Sequence, residues 1–254
     1  MTTITTSENK KIYFASDQHF GAPNSKESLP REKKFVAWLD TVKEDAEVIF
    51  LLGDLFDFWF EYKKVVPKGF VRVLGKLAEL KDIGIRIYFF VGNHDLWMRD
   101  YFQQELNIPV YYESQEFEIN DKLFLIGHGD GLGPEDIGYK RMKKAFRFPF
   151  FIWLFRWLHP DVGVQLGQYL SVKNKLNSGG KDANFLGEEK EWLVQYCKRK
   201  LEKKHYDYFV FGHRHLPLEI ELNAKSTYVN LGDWIQYFTY GEFMKTFKLK
   251  EFLK

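Results

Sequence analysis

The sequence has little of what a secreted or membrane-spanning protein needs. Cys197 is the one cysteine in 254 residues, which excludes an intramolecular disulfide and a thiolate-rich zinc site. No run reaches the about 18 apolar residues of a membrane span, and the polar beginning lacks the apolar core of a signal peptide. The net charge of +2 gives no argument for a nucleic-acid partner. We therefore expect a cytoplasmic protein that binds no nucleic acid, but that could lie peripherally on the inner membrane.

Aromatic and β-branched residues, in contrast, are plentiful and recur in short runs. Near-continuous apolar runs are typical of strands that are covered on both faces. The segments 31–45 and 69–84 lie between the early runs and carry apolar residues at helical spacing. Strands that alternate with helices predict a layered α/β fold, and we expect one domain over residues 1–254. The runs are KIYFAS, VIFLL, IRIYFFV, KLFLI, YDYFVF and STYVN.

A polar motif follows each of the first five runs. Ligand-binding groups of such sheets collect in the loops at the carboxyl ends of the strands, so we expect the motifs to meet at one edge. The five motifs hold five of the seven histidines. The motifs are DQH (17–19), GDLFD (53–57), GNHD (92–95), GHGD (127–130) and GHRH (212–215).

The side chains of these motifs predict a metal centre. Buried carboxylates are unfavourable unless they are paired or bound to a metal. Imidazoles, carboxylates and an amide oxygen without a thiolate suit manganese, iron or zinc. Eight such groups exceed one tetrahedral site and suit two ions about 3.5–4 Å apart. The groups are Asp17, His19, Asp54, Asn93, His94, His128, His213 and His215.

The five motifs, in this order, resemble the signature of the calcineurin-like metallophosphoesterases. The resemblance implies a β-sandwich flanked by helices and two divalent ions, with Mn²⁺ expected and iron or zinc as alternatives. It implies that Asp54 bridges the ions and that a water between them attacks phosphorus. The first ion would be held by Asp17, His19, Asp54 and His215, and the second by Asp54, Asn93, His128 and His213.

The same resemblance gives His94 a role other than metal binding. His94 would contact the phosphate or act as general acid for the leaving oxygen, with Asp57 holding its tautomer. The alternative for His94 is a turn residue that packs beside Asn93. Asn93 would also contact the substrate. Arg214 could reach a phosphate as a planar donor or lie in a solvated loop.

The pattern changes between residues 131 and 187, which we expect to form an inserted helical cap. The segment AFRFPFFIWLFRWL (145–158) has seven aromatic residues in fourteen, and basic residues precede it. It could line a tunnel for fatty chains, or lie in a membrane interface with its basic residues towards anionic head groups. The alternative is a helical hairpin that buries its aromatic side chains against the sheet.

The phrase GHGDGLGPEDIGYKRMKK (127–144) and the cap after it resemble one subfamily, which acts on UDP-2,3-diacylglucosamine in lipid A synthesis. That reaction splits a pyrophosphate and gives 2,3-diacylglucosamine 1-phosphate and UMP. The resemblance makes Tyr139 a substrate contact, with Lys143, Lys173 and Lys175 as further phosphate contacts. Better-known members carry arginine at the position of His94, so this chain is either a divergent branch or cleaves another phosphodiester or pyrophosphate.

Two other functions stay open at this point. One is a phosphodiesterase or phosphatase for a soluble nucleotide or a phosphoprotein. The other is a scaffold that keeps the fold without catalysis, against which the complete set of ligand side chains argues.

Overall fold

The computed structural model of the chain describes residues 1–133, 137–178, 185 and 187–253, without the side chains of residues 137 and 172–178. The described strands form two six-stranded sheets. The strands are β1 (Thr2–Ile4), β2 (Lys11–Ala15), β3 (Ala46–Leu51), β4 (Arg86–Phe90), β5 (Val110–Tyr111), β6 (Gln115–Ile119), β7 (Lys122–Ile126), β8 (Tyr208–Phe211), β9 (Pro217–Asn223), β10 (Ser226–Leu231), β11 (Thr239–Phe243) and β12 (Phe247–Glu251). The helices are α1 (Ser25–Val42), α2 (Val71–Asp82), α3 (Tyr101–Leu106), α4 (Ile137–Phe146), α5 (Pro149–Phe155), α6 (Pro160–Ser178) and α7 (Trp192–Leu201).

Parallel strands occupy the middle of each sheet. The first sheet has the order β12-β11-β2-β3-β4-β5, and β2 to β5 run parallel. The second has the order β1-β6-β7-β8-β10-β9, and β7, β8 and β10 run parallel. The layered α/β sandwich expected from the sequence is confirmed, and the carboxyl ends of the parallel strands carry the polar motifs.

The antiparallel strands near the sheet edges have a weaker signal in the sequence. In β9 the residues alternate between half-buried and exposed, so no continuous apolar run marks the strand. A register shift between Ser226 and Thr227 also interrupts its pairing with β10. These strands belong to the fold, but the motif-bearing runs alone do not reveal them.

Phenylalanine side chains fill the space between the two sheets. Phe14 of β2 stacks on Phe50 of β3, with ring centroids 5.0 Å apart, and on Phe124 of β7 at 6.2 Å. All three side chains are fully buried. Trp38 of α1 and Leu77 of α2 belong to a second apolar cluster that covers the outer face of the first sheet. This layered core therefore accounts for part of the high aromatic content.

Helix α1 begins earlier than its apolar periodicity indicates. The pattern predicts a start near Arg31, but the helix begins at Ser25 because the side chain of Asn24 accepts a hydrogen bond from the backbone N–H of Glu27. Helix α2 starts at Val71 and ends at Asp82, within the predicted segment. Both helices connect parallel strands, as the alternation predicts.

Helices α4, α5 and α6 lie between β7 and α7, within the segment expected to form the cap. None of the residues of α5, all of which are described, is buried. Its apolar side chains do not form the buried hairpin that was one alternative for this segment. None of the described helices is long and apolar enough to cross a bilayer.

Candidate metal centre

The loops after five parallel strands bring the motif side chains together. Asp17 and His19 follow β2, Asp54 follows β3, His128 follows β7, His215 follows β8, and Asn93 follows β4. The first four of these side chains are almost completely buried, and His215 is half-buried. The carboxyl ends of both sheets thus meet at one polar cluster, as the motif positions predict.

Four side chains form the first group of the cluster. Nε2 of His19 lies 3.1 Å from Nε2 of His215 and 3.5 Å from Oδ2 of Asp54. Oδ1 of Asp17 lies 3.3 Å from Nε2 of His215. The nitrogen and oxygen atoms that Asp17, His19, Asp54 and His215 offer lie within 4.8 Å of one another, close enough to share one ion.

The second group shares Asp54 with the first. Oδ2 of Asp54 is 3.5 Å from Nε2 of His128, the same distance as from Nε2 of His19 on the other side. Nε2 of His128 is 3.2 Å from Oδ1 of Asn93. The ring of His213 lies beside that of His128, with centroids 5.1 Å apart. One carboxylate oxygen therefore stands between two imidazole groups.

The backbone of these loops is strained where it presents ligands. Asp17, His19, Asp54, His213 and His215 have φ angles between 47° and 70°. Side chains other than glycine adopt this left-handed region at a cost of about 1–3 kcal/mol each, and such residues cluster at functional sites. The left-handed turns therefore lower the stability of the loops, but they direct these side chains towards the cluster.

Two glycines allow the loops to approach each other closely. A methyl group at Gly92 would overlap the carboxylate of Asp54, and one at Gly212 would overlap Ser16 and the carboxylate of Asp17. Gly212 directly follows β8, and Gly92 lies two residues after the end of β4. The glycines of the motifs are thus required by the packing of the carboxylates.

Hydrogen bonds behind the imidazoles orient their Nε2 atoms towards the cluster. Nδ1 of His128 is 2.7 Å from the backbone oxygen of Leu52, which can only accept, so this nitrogen carries the proton. Nδ1 of His215 is 3.1 Å from Oδ2 of Asp233. Both Nε2 atoms are then lone-pair donors to an ion. Asp233 had no predicted role, although it follows strand β10 as the motif residues follow their own strands.

The electrostatics of the cluster favour a bound cation. Burial alone would raise the pKa of Asp54, but the imidazoles of His128 and His94 hold that pKa well below its usual range. Burial would likewise raise the pKa of Asp17, and His215 lowers it below its usual range. Burial lowers the pKa of His128, but the Asp54 carboxylate outweighs it and raises that pKa to about 10. Ionised carboxylates therefore lie buried beside imidazoles.

A buried acceptor atom without a hydrogen-bond partner indicates whether a metal would fit the site. Oδ1 of Asp17 is buried and has no hydrogen-bond partner in the described part of the chain. It lies 3.3 Å from Nε2 of His215, which in turn lies 3.1 Å from Nε2 of His19. A buried carboxylate oxygen without a donor is stabilised by a cation placed beside it. The residues present therefore fit a divalent metal centre.

His94 and Asp57 lie beside the first group. Nδ1 of His94 is 3.0 Å from the backbone oxygen of Asp57 and 3.7 Å from its Oδ1. The other carboxylate oxygen, Oδ2, accepts a hydrogen bond from Oγ of Ser171. Ser171 lies in α6 and has no motif in the sequence that could have marked it. Asp95 accepts hydrogen bonds from the backbone N–H groups of Gly92 and Leu55.

Tyr139 and Lys143 converge on Asp130, two residues beyond His128. The hydroxyl of Tyr139 donates to Oδ2 of Asp130 at 2.5 Å, and Nζ of Lys143 lies 2.7 Å from the same oxygen. The carboxylate of Asp130 thus connects α4 to the loop that follows β7. Two of the predicted substrate contacts are in this way attached to the loop that carries His128, a predicted metal ligand.

The remaining predicted substrate contacts lie elsewhere or outside the described side chains. Arg214 is buried, and its Nε is 2.8 Å from Oε1 of Glu191, so it does not lie in a solvated loop. Lys173 and Lys175 are in the last turns of α6, and their side chains lie outside the described part of the chain. Their roles in phosphate binding stay predictions.

Fold and cluster together define a metal-dependent phosphoesterase. A model of the calcineurin-like phosphoesterase family matches residues 10–217, and the chain belongs to this family. A Porphyromonas gingivalis protein named UDP-2,3-diacylglucosamine hydrolase is 37% identical over 244 residues, 91% of this chain and 93% of that protein. An Actinobacillus succinogenes protein of the same name is 26% identical over 88% of this chain and 92% of its own length. The family predicted from the motifs is confirmed.

Replacing Asp54 or His215 should abolish hydrolysis of bis(4-nitrophenyl) phosphate in the presence of Mn²⁺. Asp54→Ala removes the oxygen between the two imidazole groups, and His215→Ala removes a ligand of the first. The matched control is His205→Ala, because His205 is exposed and lies outside the motifs. Initial rates and circular dichroism of the three variants provide the measurement. Full activity in Asp54→Ala, or in metal-stripped wild-type protein, would contradict the metal centre.

Adding a methyl group at Gly92 should displace the Asp54 carboxylate and weaken metal binding. We expect Gly92→Ala to destabilise the fold by about 1–3 kcal/mol because the site is already fully packed. Gly75→Ala is the control, since a methyl group there meets no atom within 4 Å and α2 gains helix propensity. Elemental analysis measures the bound metal of both variants, and urea unfolding measures their free energies of unfolding. Equal metal content in the two would show that the close approach is not needed.

Proposed function

We propose that this chain hydrolyses the pyrophosphate bond of UDP-2,3-diacylglucosamine in lipid A synthesis and releases 2,3-diacylglucosamine 1-phosphate and UMP. The observation that carries the proposal is the position of a basic and aromatic cap directly beside the metal cluster, joined to it through Asp130. A substrate with a pyrophosphate and two acyl chains needs both kinds of surface. The shared name of the relatives points to the same substrate.

We assign two divalent ions to the cluster, with Mn²⁺ preferred and iron or zinc as alternatives for the same donors. Asp17, His19, Asp54 and His215 would hold one ion, and Asp54, Asn93, His128 and His213 the other. A bound pair of this kind lowers the pKa of a water from about 15.7 towards 7 and offsets charge on phosphoryl oxygens. The equal distances from Oδ2 of Asp54 to His19 and His128 support its bridging position.

His94 is placed to serve the leaving oxygen. Its Nδ1 faces the backbone oxygen of Asp57, which accepts only, so this nitrogen keeps its proton. Nε2 is then the ring nitrogen that can hold a proton for transfer. In hydrolysis, water adds to phosphorus, the bond from phosphorus to the bridging oxygen breaks, and that oxygen keeps the electron pair. A proton from Nε2 would neutralise part of the charge that develops there.

A cleft between α4 and the loop after β7 matches the charge of the substrate. Its volume is about 440 Å³, within the usual range for ligand sites. Two carboxylates also line it, Asp130 paired with Lys143 and Glu113 paired with Arg147, and the basic residues outnumber them. We assign the cleft to the phosphates and the first part of the acyl chains, with Tyr139 beside it, and keep Lys173, Lys175, Arg214 and the amide of Asn93 as further contacts. The basic and apolar lining residues are Lys140, Lys143, Lys144, Arg147, Phe148 and Pro149.

The exposed aromatic side chains of the cap support contact with a membrane surface. They are about half exposed or more, and exposed apolar side chains clustered in this way are typical of surfaces that contact a protein or a membrane. Lys144 and Arg147 lie next to them and could face anionic head groups. We propose that the cap touches the inner membrane, from which a diacylated substrate would reach the cleft. The exposed side chains are Phe148 (54%), Phe150 (54%), Phe151 (49%), Trp153 (51%), Leu154 (51%) and Trp157 (74%).

Comparing UDP-2,3-diacylglucosamine with UDP-N-acetylglucosamine tests the substrate. Each buried methylene contributes about 0.8 kcal/mol, so four of them would raise kcat/KM by about two hundredfold. Steady-state release of UMP from both substrates by the same Mn²⁺-loaded protein is the measurement. Equal kcat/KM values would mean that the cap does not recognise acyl chains and would favour a soluble nucleotide as the substrate.

Replacing Phe151 and Trp153 together with serine should weaken binding to vesicles of phosphatidylglycerol and phosphatidylcholine. We expect a loss of about tenfold or more, because both rings would leave the interface. Ile83→Ser is the control, since Ile83 is 58% exposed in a part of the chain away from the cap. Vesicle co-sedimentation provides the measurement. Unchanged binding of the double variant would argue against membrane contact through α5.

A further inference from the structure

Helix α6 of the cap packs closely against the loop that follows β3. Gly163, Gly167 and Ser171 are four residues apart and therefore share one face of the helix, and all three are buried. A methyl group at Gly167 would overlap the ring of Phe58, and one at Gly163 would overlap the hydroxyl of Tyr62. The small residues thus allow α6 to approach the body at this face.

At Ser171, the same face of α6 reaches His94 and Asp57 beside the metal cluster. Oγ of Ser171 is 2.8 Å from Oδ2 of Asp57 and 2.9 Å from Nδ1 of His94. The side chains of Ser171 and Asp57 are both buried. A hydroxyl of the cap therefore contacts the two side chains to which we assigned proton transfer and its support.

The chemistry of the three groups determines which atom donates. Oδ2 of Asp57 accepts, so the hydroxyl proton of Ser171 lies on that bond. Nδ1 of His94 carries a proton because it faces the backbone oxygen of Asp57. The free lone pair of Ser171 can then share this N–H, which leaves Nε2 of His94 directed away from the three contacts. The hydroxyl of Ser171 therefore connects the imidazole of His94 to the carboxylate of Asp57.

We propose that Ser171 is a positioning residue through which the seated cap helix orients the imidazole of His94 for reaction. The proposal rests on the role of His94 given under the proposed function. It makes the cap part of the reacting site, because a helix of the cap holds the imidazole that serves the leaving oxygen. Ser171 need not touch the substrate.

A small substrate without acyl chains separates this proposal from the lipid assignment. The phenyl ester of UMP has a poor leaving group, so its hydrolysis depends on a proton donor, and its turnover requires no recognition of acyl chains. With Mn²⁺-loaded protein, we expect Ser171→Ala to lower kcat about tenfold, in the range of losses for groups that orient a reacting residue, and to leave KM within about twofold. Ser171→Thr, which keeps the hydroxyl, should restore most of the activity.

Two controls distinguish positioning from a general effect on the cap. Gln165→Ala truncates an exposed side chain of the same helix and should leave kcat unchanged. In a His94→Ala background, whose kcat should already be lower by about a hundredfold, adding Ser171→Ala should have no further effect. Bound metal and Tm are measured for every variant. An equal loss in both backgrounds, or unchanged kcat in Ser171→Ala, would overturn the proposal, whatever the outcome with the diacylated substrate.

Discussion

Ionised carboxylates that are buried among imidazole nitrogens need positive charge beside them, and this requirement organises the whole site. Asp17 and Asp54 are almost fully buried, and their oxygens face Nε2 atoms of three histidines. No hydrogen bond within the described residues satisfies Oδ1 of Asp17. The desolvation of such groups costs several kcal/mol without a counter-charge. Metal binding and the stability of these loops are therefore coupled.

The fold meets this requirement by combining strong strands with strained turns. The parallel strands are fully packed on both faces, and their phenylalanine core fixes where each strand ends. The turns beyond them accept left-handed backbone at ligand positions such as Asp17 and His215. Gly92 and Gly212 let the carboxylates come close to neighbouring loops. The stability of the sandwich thus offsets the strain at its edge.

Much of this arrangement could be predicted from the sequence, because each ligand directly follows an apolar run. The run before Asp54 and the run before His128 predict both the strand and the edge at which its polar residue lies. Ser171 could not be predicted in this way, since its contacts with His94 depend on how α6 packs across the chain. Arg214 was open between a phosphate contact and a solvated loop, and its pairing with Glu191 depends on a residue far from the motif. Such contacts depend on tertiary packing, which local sequence patterns do not predict.

The central claim is that one carboxylate, Asp54, lies between two divalent ions. A crystal structure of the Mn²⁺-loaded protein, with anomalous scattering recorded at the manganese edge, tests it most directly. The account predicts two anomalous peaks about 3.5–4 Å apart, one beside His19 and His215 and the other beside Asn93 and His128. A single peak, or peaks that do not flank Oδ2 of Asp54, would contradict it.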